Sequence, residues 1–534
     1  MKTYTVKIAV LLIVLLSLEA CTYLKYSNKQ SQYARQQKLD PSQSNLRRMI
    51  DQQNFAIIGS TVDSLSLYAP PVETMAVVAF SDQFKKSEQV DVMHDVTSGT
   101  YFGLDLPEGE YELIVMSDFD VNGVYSSQEA IGRLSISVSE EKNPEKVIQG
   151  VEISLVEKFS LDFPVSIDVV KSGNEKKSFF YPAGTIRNLE DPIFSPEMST
   201  LGLYDPSAFF DQAPTLFYAL EEDIAYKIPV VFVHGISGSA REFTTLVSKM
   251  DRNKYKPWFF HYPSGADLQQ MAEVFHKIFL DGKLIPSEEE IPLVVVAHSM
   301  GGLIVREALN LTDETAERKI LFVSLASLYG GHPAASMLDN VSGMVMPSWK
   351  NLNPNSDFMT DLFRRKLPKN IEHRLYYAFD NGTGIAIGEN SDGVVPLSSQ
   401  LHPSAQQQAA FQFGFNATHT SILVEEEPVA TVIKDIESID SKIPEDHTMH
   451  ILKGGFTPKS AKDLSDKDLF YLKTYGCYME ALVSERLQVI GPIQKIAVSM
   501  MKGEVPAVYD FASTWQKFVK YEKNNLKDTV SICH

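Results

Sequence analysis

Ile291-Pro292-Leu293-Val294-Val295-Val296-Ala297-His298-Ser299-Met300-Gly301-Gly302-Leu303-Ile304-Val305-Arg306-Glu307-Ala308 decides how this chain folds. Its first half is an unbroken apolar run, the pattern of a strand buried on both faces. Its second half reads as a helix that starts straight after Ser299. Two positions to either side of the serine stand small residues, Ala297 and Gly301. A chain that turns from strand into helix within one residue crowds those positions, and a larger side chain would collide there. The turn lifts Ser299 at the carboxyl end of a sheet, with Oγ expected to be exposed and a helix N-terminus beneath it. A buried strand followed by a serine cap also fits these five residues, so the rest of the chain has to decide.

Three further stretches fall in a telling order. Upstream, Ile228-Pro229-Val230-Val231-Phe232-Val233 reads as a second buried strand running into His234-Gly235-Ile236-Ser237-Gly238-Ser239-Ala240. A glycine-rich turn there lets backbone N–H groups point into a site, where with the Met300 N–H they hold the oxyanion of a tetrahedral intermediate. Downstream, Ser391-Asp392-Gly393-Val394-Val395-Pro396 offers a loop acid and Asn416-Ala417-Thr418-His419-Thr420-Ser421 a loop histidine. The chain order Ser, Asp, His differs from that of chymotrypsin-like and subtilisin-like proteases. Asp380, directly after the strand Leu375–Phe379, competes for the acid's role. Asp392 is preferred, because Gly393 permits a tight turn and the Val394-Val395 pair pins the loop against a core.

Residues from about 228 to 425, under half the chain, resemble the α/β-hydrolase fold of lipases and esterases. The pieces that carry the resemblance are Val233-His234-Gly235, Ala297–Gly302, Leu328-Tyr329-Gly330-Gly331-His332-Pro333, Ser391–Pro396 and His419. It implies Ser299 as nucleophile, His419 as general base, Asp392 as its orienter, and Ile236 and Met300 as oxyanion donors. It departs from the usual pattern in having Ala297 for the first glycine and Leu328-Tyr329 where relatives often carry Pro-Trp. The expected activity is cleavage of carboxylic esters, of a lipid or another hydrophobic substrate, through an acyl-enzyme and without a cofactor. An acyltransferase or thioesterase with the same three residues, or a surface binding protein on a hydrolase scaffold, are the competing readings.

Around this core the chain divides. Lys2 and Lys7 precede the apolar run Ile8–Leu16, which ends at Leu18-Glu19-Ala20-Cys21. That pattern predicts a signal peptide over 1–20. A cysteine after a small residue resembles the bacterial lipobox, which implies a lipid on Cys21; an ordinary cleaved signal is the alternative. Thr22 in place of aspartate implies sorting to the outer membrane of a Gram-negative bacterium. Residues 21–50 are polar and read as a tether from lipid to folded protein. Period-two runs over 51–164, with turn clusters such as Pro107-Glu108-Gly109, predict an antiparallel β-sandwich-like module. Residues 165–225 form a lead-in, 226–440 the α/β catalytic domain with a mostly parallel sheet, and 441–534 a helical C-terminal segment.

Asp118, Asp120, Asn122, Gly123 and Glu129 match the ligand spacing of a Ca²⁺ loop. A strand precedes this loop where a helix belongs, so an Asx-rich turn with solvated carboxylates is the preferred reading. The stretch from Gly330 to Lys366, rich in Met and aromatic residues, fits either an acyl-chain cleft or ordinary core. Cys477 and Cys533 either pair or remain separate thiols. A formal charge of −19 over 534 residues argues against nucleic acid as a partner. The sequence leaves the oligomeric state open.

Overall fold

The structure, a computed structural model of the chain, describes most residues between 54 and 530. It leaves out 1–24, 26–27, 29–53, 64–66, 68–74, 84–88, 97–100, 170–175, 178–184, 221–226, 282–290, 314–316, 337–344, 383–389, 440–443, 459–463, 525–528, 531–534 and a few single positions. The expected signal and nearly all of the expected tether therefore lie outside the described residues. The rest is a mixed α/β structure built on two large sheets.

The first sheet uses β1 (Asn54–Val62), β2 (Met75–Phe80), β3 (Asp91–Val96), β4 (Tyr101–Pro107), β5 (Gly109–Ser117), β7 (Ala130–Val138) and β8 (Val147–Phe159), in the order β3-β2-β5-β7-β8-β1-β4. The short strands β6 (Val124–Ser126) and β9 (Ser166–Asp168) pair beside it. Alternation aims Phe55, Ile57, Leu104, Leu106, Leu113 and Ile153 into one apolar interior. The expected turn forms, and one strand pairing departs from the sequence reading. The Pro107-Glu108-Gly109 turn joins β4 and β5, which pair with β1 and with β2 and β7 rather than with each other. One pair, β1 and β8, is parallel, so the sheet is not wholly antiparallel.

The second sheet holds the site. Its order is β10 (Lys176–Lys177), β11 (Thr185–Ile186), β12 (Phe217–Ala219), β14 (Tyr255–Phe260), β13 (Ile228–Val233), β15 (Leu293–His298), β16 (Ile320–Leu325), β17 (Ile371–Ala378), β18 (Phe411–Phe415). From β14 to β18 every neighbouring pair is parallel. Part of the lead-in, Phe217–Ala219, enters it as β12, antiparallel to β14. Parallel strands need crossovers, and these place helices on the faces. Strands β13, β15 and β16 are consequently buried along their whole length, which is why they read as unbroken apolar runs. Val294, Val295 and Val296 are fully buried, each contributing about 1.5–3 kcal/mol by the usual transfer scale.

Two helices cover the central strands. Leu268–Phe279 starts at Asp267, whose carboxylate accepts the Gln270 N–H, and buries Met271, Val274, Phe275 and Ile278. Gly301–Asn310 is buried throughout. The C-terminal helices Asp466–Val483, Pro492–Lys502 and Asp510–Asn524 join the same apolar cluster through Tyr471, Leu472, Tyr478, Val498, Trp515 and Phe518. No helix among the described residues is long and apolar enough to cross a membrane.

Candidate active site

Ser299 follows β15 with φ +54°, a left-handed conformation that a non-glycine residue adopts at some cost. Its N–H donates to the Leu325 carbonyl oxygen of the next strand at 2.8 Å, which holds the turn in place. The helix that follows sits tightly on the end of β13. A Cβ on Gly301 would lie 2.5 Å from the Val233 carbonyl oxygen and 2.6 Å from that of His234. Ala297 lies in register between Val233 and Ser324 and is fully buried. A methyl group therefore fits where the usual pattern has glycine.

His419 Nε2 lies 2.9 Å from Ser299 Oγ, and His419 Nδ1 lies 2.6 Å from Asp392 Oδ2. With a neutral ring, Nδ1–H donates to the carboxylate and Nε2 accepts the serine proton. Asp392 is itself held, because its Oδ1 accepts the Val394 and Val395 N–H groups at 2.9 and 2.6 Å. The His419 N–H donates to the Asp392 carbonyl oxygen, joining the two loops. Asp380 turns elsewhere and accepts the Gly382 N–H. Burial pushes the His419 pKa below its ordinary value; the Asp392 hydrogen bond opposes this, and nearby His298 adds to it.

One expectation fails. Ser299 is only 3% exposed, not open to solvent at the top of the sheet. The 234–240 loop lies over it, and a Cβ on Gly235 would come within 2.9 Å of Ser299 Cβ. Only glycine allows that approach.

The same loop carries Ile236. Neither the Ile236 N–H nor the Met300 N–H has a protein acceptor among the described residues. Ser237 is in the left-handed region at φ +53°, and its N–H donates to Ser264 Oγ. The lead-in segment clamps the loop from outside. Ser199 Oγ donates to the Gly238 carbonyl oxygen, Ser239 Oγ donates to that of Phe194, and Arg241 donates to those of Leu189, Glu190 and Asp191. Tyr262 stacks on His234 at 4.4 Å and donates its hydroxyl to the His234 carbonyl oxygen.

Beside Ile236 is an apolar wall made from two distant segments. Leu203 and Met346 are buried together, with Tyr204 and Trp349 packed against them. Of the other Met and aromatic residues read as cleft or core, Phe358 and Met359 are core, and Met337 and Met344 lie outside the described residues. Sequence reasoning missed Leu203, Ser264 and, most consequentially, Glu242, whose carboxylate lies 3.2 Å from His298 Nδ1. A charged residue just past a glycine-rich turn was the only signal for Glu242.

The remaining candidates lie elsewhere. Carboxylate oxygens of Asp118, Asp120 and Glu129 gather within 4.8 Å of one another. They accept backbone N–H groups: Asp118 from Asn122 and Gly123, Asp120 from Asn122, and Glu129 from Phe119 and Ser126. The Asn122 side chain caps the Val124 N–H. This is the hydrogen bonding of an Asx-rich turn. Cys477 is buried and disulfide-bonded, while Cys21 and Cys533 lie outside the described residues.

No family model matches the chain, and no curated protein matches it. Solved structures give partial likenesses. The mature lipase BlEst2 of Bacillus licheniformis is 16% identical over 41% of this chain and 97% of its own, with a TM-score of 0.32. Lipase B of Aspergillus fumigatus is 16% identical over 45% of this chain and 61% of its own, with a TM-score of 0.31. The metagenomic carboxyl esterase MGS0156 is 17% identical over 41% of this chain and 79% of its own, with a TM-score of 0.29.

Proposed function

We propose that the chain is a serine hydrolase of the α/β-hydrolase type that cleaves carboxylic esters through an acyl-enzyme. The observation that carries this reading is the hydrogen-bonded series Ser299–His419–Asp392 next to two N–H groups without an acceptor among the described residues. His419, held neutral by burial, takes the Ser299 proton as Oγ attacks the ester carbonyl. Asp392 fixes the ring and stabilises the imidazolium that forms. The Ile236 and Met300 N–H groups receive the negative charge that develops on the carbonyl oxygen. His419 then protonates the leaving alcohol, and water activated by the same ring releases the acid.

The substrate class is a lipid or other hydrophobic ester. The wall of Leu203, Tyr204, Ile236, Met346 and Trp349 supports it, since it sets apolar surface beside one of the two oxyanion donors. A lipid on Cys21 would hold the enzyme at the outer membrane without a spanning helix.

The test is labelling by a fluorophosphonate, which reacts only with an activated serine. Wild-type protein is expected to label and to hydrolyse p-nitrophenyl esters, and Ser299→Ala to do neither while keeping its fold. Labelling that persists in Ser299→Ala moves the nucleophile elsewhere. Mass spectrometry of the membrane-extracted protein, with Cys21 as an acylated first residue, tests the anchor.

A further inference from the structure

Beneath the 234–240 loop, the Glu242 carboxylate meets the ring of His298, the residue before the nucleophile. Glu242 Oε2 lies 3.2 Å from His298 Nδ1, and His298 Nε2 lies 2.8 Å from the backbone carbonyl oxygen of His419. Both ring nitrogens thus face acceptors. A neutral imidazole carries one N–H, so only the doubly protonated ring donates to both. The alternative is a neutral ring beside a protonated Glu242. Burial does push the Glu242 carboxyl up, but the His298 hydrogen bond and the charges of His298 and His234 hold it below its ordinary value.

The pair also occupies a structural junction. A Cβ on Gly238 would lie 1.9 Å from Glu242 Oε1, and one on Gly235 would lie 3.4 Å from His298 Nδ1. The loop that carries Ile236 is therefore folded around the two side chains. On the other side, the His298 and His419 rings are 4.8 Å apart. The titratable groups around this cluster are His419, itself bonded to Asp392, His234 at the end of β13 with His261 behind it, and Tyr262 after β14.

We infer that Glu242 and His298 form a standing ion pair that positions the site. It ties the Ile236 loop to the main chain of His419, and its imidazolium keeps His419 in the free-base form. This rests on the reading of Ser299 as nucleophile. Neither residue touches the substrate, so both act through His419 and the loop. A positive charge on the His298 ring, 4.8 Å from that of His419, opposes a second proton there, with Glu242 offsetting part of the effect.

The experiment combines ring spectroscopy with kinetics on the full chain. In ¹⁵N spectra at pH 8, assigned with a His298→Asn control, both ring nitrogens of His298 are expected to carry protons. In Glu242→Gln the ring should be singly protonated, since the amide donates to Nδ1. On p-nitrophenyl esters, Glu242→Ala is expected to lose about 10- to 100-fold in kcat with KM nearly unchanged. Glu242→Gln should recover much of that loss, with the acid limb of kcat/KM moved to higher pH. A singly protonated His298 in the wild type overturns the ion pair. Wild-type kcat and an unmoved acid limb in a folded Glu242→Ala overturn its positioning role. Wild-type protein that fails to label with fluorophosphonate defeats the hydrolase reading instead, and the ring spectrum still decides the pair.

Discussion

Asp392 Oδ2 and His419 Nδ1 are 2.6 Å apart, and the same carboxylate's other oxygen is fixed by two backbone N–H groups of its own loop. The carboxylate therefore has one orientation, and it dictates which ring nitrogen carries the proton. Asn at this position keeps the shape but offers an amide, which favours the wrong tautomer. Asp392→Asn is expected to reduce kcat by up to about 10⁴ with KM less affected. Asp380→Asn should leave turnover near wild type, because among the described residues its carboxylate serves only the Gly382 N–H. Steady-state kinetics of the two variants side by side check this, and a collapse in Asp380→Asn alone reverses the assignment.

The pH dependence follows from His419. In the proposed reaction its neutral form is the base, and burial lowers its pKa from the ordinary 6.5. Protonation then begins only at more acidic pH, so the acid limb of kcat/KM should fall with a midpoint below 6.5. A profile of kcat/KM between pH 5 and pH 9 reads this directly. A midpoint above 6.5 would mean that Asp392 outweighs burial and His298 together.

Particular residues show what was legible beforehand. Strands β13, β15 and β16 were readable because burial on both faces removes polar alternation, a local signal. The strand-to-helix turn at Ser299 was readable because steric crowding there selects small neighbours within a few residues. What stayed hidden depends on distant chain. The Leu203–Met346 contact joins separate segments, and Glu242 meets His298 across 56 positions. The expected exposure of Ser299 failed for the same reason, since Gly235 arrives from another strand end and covers it. The Pro107-Glu108-Gly109 cluster told of a turn correctly. It held no information about which strands β4 and β5 would pair with.

Gly301 gives a steric prediction. A methyl there would press on the Val233 and His234 carbonyl oxygens at 2.5 and 2.6 Å, and backbone cannot move aside as a side chain can. Gly301→Ala should push the helix away from β13, at a cost of about 1–3 kcal/mol as for other overpacked sites. The displacement also shifts Met300, so fluorophosphonate labelling should slow by more than the stability loss explains. Denaturant unfolding and labelling rates on one preparation measure both. Wild-type values for each would show that the helix has slack which the close contacts do not suggest.

His373 gives the sharpest test of the core. Its Nε2 lies 2.9 Å from Ser324 Oγ and its ring stacks on Phe322 at 4.6 Å. Burial first, and then the charge of Arg306, lower its pKa to about 3. The unfolded chain takes up this proton near pH 6.5, while the folded protein resists it until about pH 3. Between those values the unfolded state binds more protons, so stability falls as pH falls, by about 1.4 kcal/mol per unit at full slope. From pH 7 to pH 5 this one residue should remove about 2 kcal/mol. His373→Gln has no proton to take up and keeps an acceptor for Ser324. It is expected to be less stable at pH 7 yet to lose about 2 kcal/mol less than wild type on acidification. Urea unfolding of both proteins at pH 7 and pH 5 measures the difference. Equal losses would mean that His373 titrates normally, in a core more open to water than its burial indicates.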